Sequence, residues 1–153
     1  MPQLPDFPLD SLYADAIMDH YRNPRHRARI LGENLESHQF NPFCGDEVTL
    51  QIRLDSQGRV AEVSSVSDGC SIIQASASMM ADSMPGKTLN QLRGLSQRFR
   101  SMMQGETLAE EVLAEMGDLP ALSVVQQYPV RIKCALLPWV ALEEGIKRAG
   151  PGA

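Results

Sequence analysis

From Val48 to Leu54 the chain alternates apolar and polar residues: Val48, Leu50, Ile52 and Leu54 against Thr49, Gln51 and Arg53. A period of two marks a strand with one face buried. Ser56-Gln57-Gly58 supplies a turn, and Arg59 to Ser67 alternates again through Val60, Val63 and Val66, less regularly, so the two runs read as an antiparallel hairpin. Residues 35–40 suit a short third strand. Upstream, Leu9, Leu12 and Ala16 share one helical stripe and Tyr13, Ile17 and Tyr21 the next. That helix is expected to start at Asp10 or Ser11, both good N-caps, and to stop at Asn23-Pro24.

Downstream, Ser71 to Met84 is nearly apolar all round, which predicts a buried helix ended by Pro85-Gly86. Thr88 to Met103 reads as one or two helices, and Glu106 to Glu115 as another. Pro120 and Pro129 bracket a short helix, and Cys134 opens a final one reaching Arg148. Pro138 should remove one early hydrogen bond from it. A helix, a small antiparallel sheet of about three strands, then several helices is an α+β pattern. Met1 to Pro8 holds three prolines and no basic residue, so it reads as a flexible arm and not as a secretory or transit leader. Residues 9–149 read as one domain.

The 153 residues are enough for a hydrophobic core, with 43% hydrophobic and 22% charged residues. A net charge of −5 argues against a general nucleic-acid binder. No apolar run approaches the ~18 residues of a membrane span. The expected address is the cytosol, where an odd number of cysteines points to metal or redox chemistry and not to a disulfide framework.

Cys44, Cys70 and Cys134 lie in three different parts of the chain. Cys44-Gly45-Asp46 puts two ligand types two residues apart across a glycine whose backbone freedom lets both aim at one point. Cys70 follows Asp68-Gly69 at a predicted helix start, and Cys134 follows Arg131 and Lys133 at another, both settings that favour a thiolate. Three sulfurs and a carboxylate make four ligands, which suits tetrahedral zinc and equally an iron–sulfur cluster. Gaps of 25 and 63 residues between successive cysteines match no zinc-finger spacing.

Asn41-Pro42-Phe43-Cys44-Gly45-Asp46, Asp68-Gly69-Cys70-Ser71-Ile72 running into Ala75-Ser76-Ala77-Ser78-Met79-Met80, and Arg131-Ile132-Lys133-Cys134-Ala135-Leu136 resemble the U-type iron–sulfur assembly proteins, the IscU/SufU/NifU N-terminal family. Ile17-Met18-Asp19-His20-Tyr21-Arg22-Asn23-Pro24 resembles that family's opening helix, and the likeness runs from Leu12 to Ile146. It implies the SufE/NifU (IscU-like) fold. Three features resemble the SufU branch more than the IscU scaffolds. Lys133 stands where the scaffolds have a histidine, and a protonated lysine offers a metal no lone pair. Gln127-Tyr128-Pro129-Val130-Arg131 lacks the paired prolines of the scaffolds' chaperone-binding motif. Ser96 to Gly117 resembles the extra helical segment of SufU. The resemblance implies zinc held by Cys44, Asp46, Cys70 and Cys134, with Cys44 accepting persulfide sulfur from a type II cysteine desulfurase of SufS type. Downstream iron–sulfur assembly proteins would receive the sulfur, and Arg131 and Lys133 would support the site. The alternative is a non-enzymatic scaffold on which the same residues hold iron or a [2Fe–2S] cluster.

Other features carry blander readings. Met79, Met80, Met84, Met102 and Met103 at helical spacing suit core filling. Glu106, Glu110, Glu111, Glu115 and Asp118 suit a solvated face. The cluster Arg22, Arg25, His26, Arg27 and Arg29 suits either a charged loop at a helix C-terminus or a dock for an acidic partner. His20, His26 and His38 sit in no nucleophile-elbow or protease signature.

Overall fold

The computed structural model describes residues 11–42 and 45–149. The N-terminal arm, the Asp10 cap and Cys44 lie outside the described residues. The order is α1 (Ser11–Arg22), β1 (Leu35–Asn41), β2 (Asp46–Leu54), β3 (Val60–Asp68), α2 (Ser71–Asp82), α3 (Leu89–Met103), α4 (Glu110–Ala114), a 3₁₀ helix (Leu119–Gln127) and α5 (Pro129–Ala149). The three strands form one antiparallel sheet in the order β1-β2-β3.

The period of two places Leu35, Ile52 and Val63 side by side on the inner face, then Ser37, Leu50 and Ser65, then Gln39, Val48 and Ser67. The irregular spacing in β3 has a mechanical cause. Arg53 faces Glu62 but Leu54 faces Val60, so Ala61 is an extra residue in a bulge. Val60 and Val63, three apart, can therefore both point into the core. Helices α5 and α2 cover the inner face, α5 against β1 and β2, α2 against β3. The outer edge of β3 is partly closed by the loop after α1, where Ser65 N–H donates to the His26 carbonyl at 2.7 Å.

Thr88 to Met103 is one helix. Thr88 and Gln91 cap it reciprocally, each side chain taking the other's backbone N–H. The helix expected over Glu106–Glu115 shrinks to the five residues of α4, whose side chains are at most half-buried and supply little packing. The acidic run is exposed. The segment bracketed by Pro120 and Pro129 is helical but 3₁₀. The five methionines are buried, as core filler should be.

The last helix corrects an expectation. It begins at Pro129, not at Cys134, because proline is well suited to a first helical turn. Cys134 therefore sits in the second turn, packed inward, and owes nothing to a helix N-terminus. Pro138 lies well inside the helix, and the helix runs through it.

The basic cluster after α1 is largely spent internally: Arg25 pairs with Asp19 at 2.5 Å, His26 with Asp82 at 3.3 Å and Arg29 with Glu36 at 3.4 Å. His20 is buried. Its Nδ1 lies 2.8 Å from Ser78 Oγ and its Nε2 2.9 Å from Asp118 Oδ2, while Arg25 N–H donates to Ser78 Oγ at 2.9 Å. One proton placement satisfies all three contacts: the Ser78 hydroxyl donates to Nδ1, and Nε2–H donates to Asp118. The cluster ties α1, α2 and the start of the 3₁₀ helix together.

Candidate metal centre

Asp46 opens β2 opposite Asn41, the last residue of β1. Cys70 is the N-cap of α2, two residues past the end of β3, with extended backbone angles. Cys134 projects from the second turn of α5. The end of the sheet, the start of one helix and the flank of another thus converge. A carboxylate oxygen of Asp46 and the sulfurs of Cys70 and Cys134 all lie within 4.8 Å of one another. Asp46 and Cys134 are buried, and Cys70 is half-buried, so the group opens to solvent on the Cys70 side.

Asp46 is held from below by its neighbours. Oδ1 accepts a long hydrogen bond from Cys70 N–H at 3.4 Å. Gly69, at φ +144°, packs so closely that a Cβ there would lie 2.1 Å from Oδ1. Only glycine combines that backbone angle with that approach. Oδ2 is buried and finds no hydrogen-bond partner among the described residues. Leaving such an atom unsatisfied costs about 1–3 kcal/mol, more for a charge, so a bound cation would stabilise it.

The two thiols share protons unequally. Cys70 is lowered to about 6, first by the hydrogen bond from the Cys134 thiol and then, against burial, by the Ile73 and Ile72 amides at the helix start, with Asp46 opposing. Cys134 moves strongly upward, first because of the Cys70 sulfur beside it, then through burial and the Asp46 carboxylate. Neither Arg131 nor Lys133 is among the causes of the Cys134 shift. In the folded protein its near neighbours are an acid and another thiol, and Lys133 is exposed while Arg131 is half-buried in the first turn. A divalent cation would take the place of the shared proton and favour both thiolates at once. The residues present thus fit a metal of borderline softness, with two sulfurs and one oxygen as donors.

Of the four ligands expected from the sequence, the structure brings three together, and Cys44 falls outside the described residues. Sequence reasoning named Gly69 only as the residue preceding Cys70 at a helix start. It missed Gly69 as the floor under Asp46, because a close approach leaves no mark in a sequence beyond the glycine itself.

A buried carboxylate and two thiols converge at the end of a three-stranded sheet in an α+β protein, a group that could hold a metal ion. Residues 12–148 match the NifU-like N terminal domain, and the chain belongs to that family. It is 40% identical over 144 residues to the zinc-dependent sulfurtransferase SufU of Bacillus subtilis (strain 168), covering 94% of this chain and 95% of that one. It is 35% identical over 142 residues to the iron–sulfur cluster assembly scaffold protein IscU of Streptococcus pyogenes serotype M1, covering 92% and 86%. A crystal structure described as an iron–sulfur cluster assembly scaffold protein for the SUF system, from Fervidobacterium islandicum AW-1, superposes with a TM-score of 0.78 at 32% identity, covering 86% of this chain and 94% of that one.

Proposed function

We propose that the protein is a zinc-dependent sulfurtransferase that accepts persulfide sulfur from a SufS-like type II cysteine desulfurase and passes it on for iron–sulfur cluster biogenesis. The observation that carries the reading is the gathering of Asp46, Cys70 and Cys134, with an exposed lysine and not a histidine beside Cys134. Cys44 would be the fourth ligand and the sulfur acceptor. It is two residues from Asp46, so chain connectivity alone keeps their Cα atoms within about 7.6 Å.

In the transfer, the Cys44 thiolate attacks the terminal sulfur of the desulfurase persulfide. A sulfur–sulfur bond to Cys44 forms, the desulfurase sulfur–sulfur bond breaks, and the desulfurase cysteine leaves as a thiolate. When bound, zinc would keep the sulfurs ionised at neutral pH. Asp46, the one hard ligand, would leave the site open to exchange, so that docking could free Cys44. Cys70 and Cys134 would retain the metal meanwhile. The cytosol is the compartment in which these thiols stay reduced, and no helix among the described residues is long and apolar enough to cross a membrane.

A second reading is a scaffold that assembles and transfers a [2Fe–2S] cluster. It is favoured by the donor set, which suits iron equally, and by the likeness to the Streptococcus scaffold. Elemental analysis of anaerobically purified protein, with persulfide mapping by mass spectrometry after incubation with a desulfurase and cysteine, separates the two. Zinc near one equivalent and an added sulfur on Cys44 are expected, with desulfurase stimulation abolished in Cys44→Ser. Stoichiometric iron and sulfide without zinc would hand the function to the scaffold reading. Full stimulation by Cys44→Ser would remove Cys44 as acceptor.

A further inference from the structure

Pro138 lies inside α5, buried, four residues after Cys134. Its nitrogen carries no hydrogen, so the Cys134 carbonyl lacks the N–H that would close its helical turn, and the proline ring crowds that carbonyl. A helix with such a gap is free to bend there unless another group holds it. The holding group is visible. Ser76 of α2 is fully buried, and its hydroxyl donates to the Ala135 carbonyl at 2.6 Å while accepting from Trp139 Nε1–H at 3.2 Å. Trp139 is itself fixed by stacking on Phe99, with ring centroids 4.7 Å apart.

The contacts bracket the proline. Ala135 precedes it and follows Cys134 directly, and Trp139 comes immediately after it. Ser76 also shares one helix with the Cys70 cap, so a single element carries the first thiol and the anchor for the second. On the opposite flank of α5 at this end, Val130 is 73% exposed and Lys133 is exposed as well.

We infer that Ser76 is a positioning residue for the Cys70–Cys134 pair: its hydrogen bonds to Ala135 and Trp139 hold against α2 the turn of α5 that Pro138 has opened, and so set the place of the Cys134 sulfur. The effect on metal affinity rests on the reading of these thiols as ligands, whereas the restraint on α5 does not.

The test is a double-mutant cycle in the full-length chain with Ser76→Ala, Pro138→Ala and the combination, read two ways. Cobalt(II) affinity, measured by chelator competition, and the cobalt visible spectrum report the ligand geometry. Amide hydrogen exchange over residues 130–137 in metal-free protein reports the restraint without any metal. Ser76→Ala should weaken cobalt binding about tenfold or more, alter the spectrum, and speed exchange in that segment. In the Pro138→Ala background, where Cys134 regains its N–H partner, the same substitution should cost less than about threefold. Trp139→Phe keeps the ring and removes the donor, so it should shift both readouts the same way, and it serves if Ser76→Ala does not fold.

A Ser76→Ala protein with lower melting temperature but unchanged cobalt affinity, spectrum and exchange would reduce Ser76 to a packing residue and overturn the inference. An undiminished penalty in the Pro138→Ala background would overturn it too. Failure of the unsubstituted protein to bind cobalt would refute the ligand reading, and the exchange measurement would then decide the clamp by itself.

Discussion

Gly69→Ala addresses the metal centre through its floor. The new methyl would lie 2.1 Å from Asp46 Oδ1, 2.8 Å from its Cγ and 3.0 Å from Ile73 Cγ2. To restore ordinary contact the carboxylate must withdraw by about 1 Å, and the backbone must hold alanine at φ +144°. Strain of that backbone kind costs about 1–3 kcal/mol, and overpacking a close site about 1–3 kcal/mol more. The sum, about 2–6 kcal/mol, corresponds to a fall of roughly 4–24 °C in melting temperature for a chain of this size. Displacing a ligand by about 1 Å should also weaken zinc by about 10–100-fold. Differential scanning calorimetry of the metal-free protein and zinc competition with a chromophoric chelator measure the two effects. Gly145→Ala is the control. Its Cβ would meet the Leu35 Cδ2 tip at 2.4 Å, a flexible group remote from the ligands, so stability should change with zinc affinity unaltered. If Gly69→Ala binds zinc as the unsubstituted protein does, Asp46 is not held where the ligand argument needs it, and the argument fails.

Asp46→Ala should separate folding from binding. Removing a buried carboxylate whose Oδ2 has no partner among the described residues should leave metal-free stability unchanged or raised by about 1 kcal/mol, while zinc binding weakens at least tenfold; a lower metal-free melting temperature would count against the unsatisfied-oxygen reading. His20→Ala should cost about 2–4 kcal/mol by chemical denaturation, since it empties a buried site and leaves the buried Ser78 hydroxyl without its acceptor, with zinc affinity unchanged. Glu143 is raised by burial but lowered more by the Arg100 and Ser96 hydrogen bonds, and its net position is below 4.5. Because its folded-state value is depressed, its stabilisation is complete above the unfolded value and is lost as pH falls through the folded one. Glu143→Gln should therefore lose about 1 kcal/mol at pH 7 and nothing near pH 2, and a difference independent of pH would exclude the ionic account.

Much of the fold was legible because it rests on local periodicity. The alternation of Val48 to Leu54 determined a half-buried strand, and the apolar run from Ser71 determined a buried helix, whatever else the chain did. Where tertiary contacts override local preference, reading failed. Cys134 was expected to open the last helix, yet Pro129 begins it five residues earlier, and packing turns Cys134 inward beside a second thiol. The bulge at Ala61 was audible only as irregular spacing, since register depends on the partner strand.

The metal centre divides in the same way. Residue types and short motifs singled out the candidate ligands, because thiols and a carboxylate beside glycine are chemically distinctive wherever they fall. Only the tertiary structure decided that Asp46, Cys70 and Cys134 meet, that Gly69 presses on the carboxylate, and that Ser76 spans the gap left by Pro138. Those are relations between residues up to 88 positions apart, from Asp46 to Cys134. Such distances are set by how sheet and helices pack and not by any local pattern.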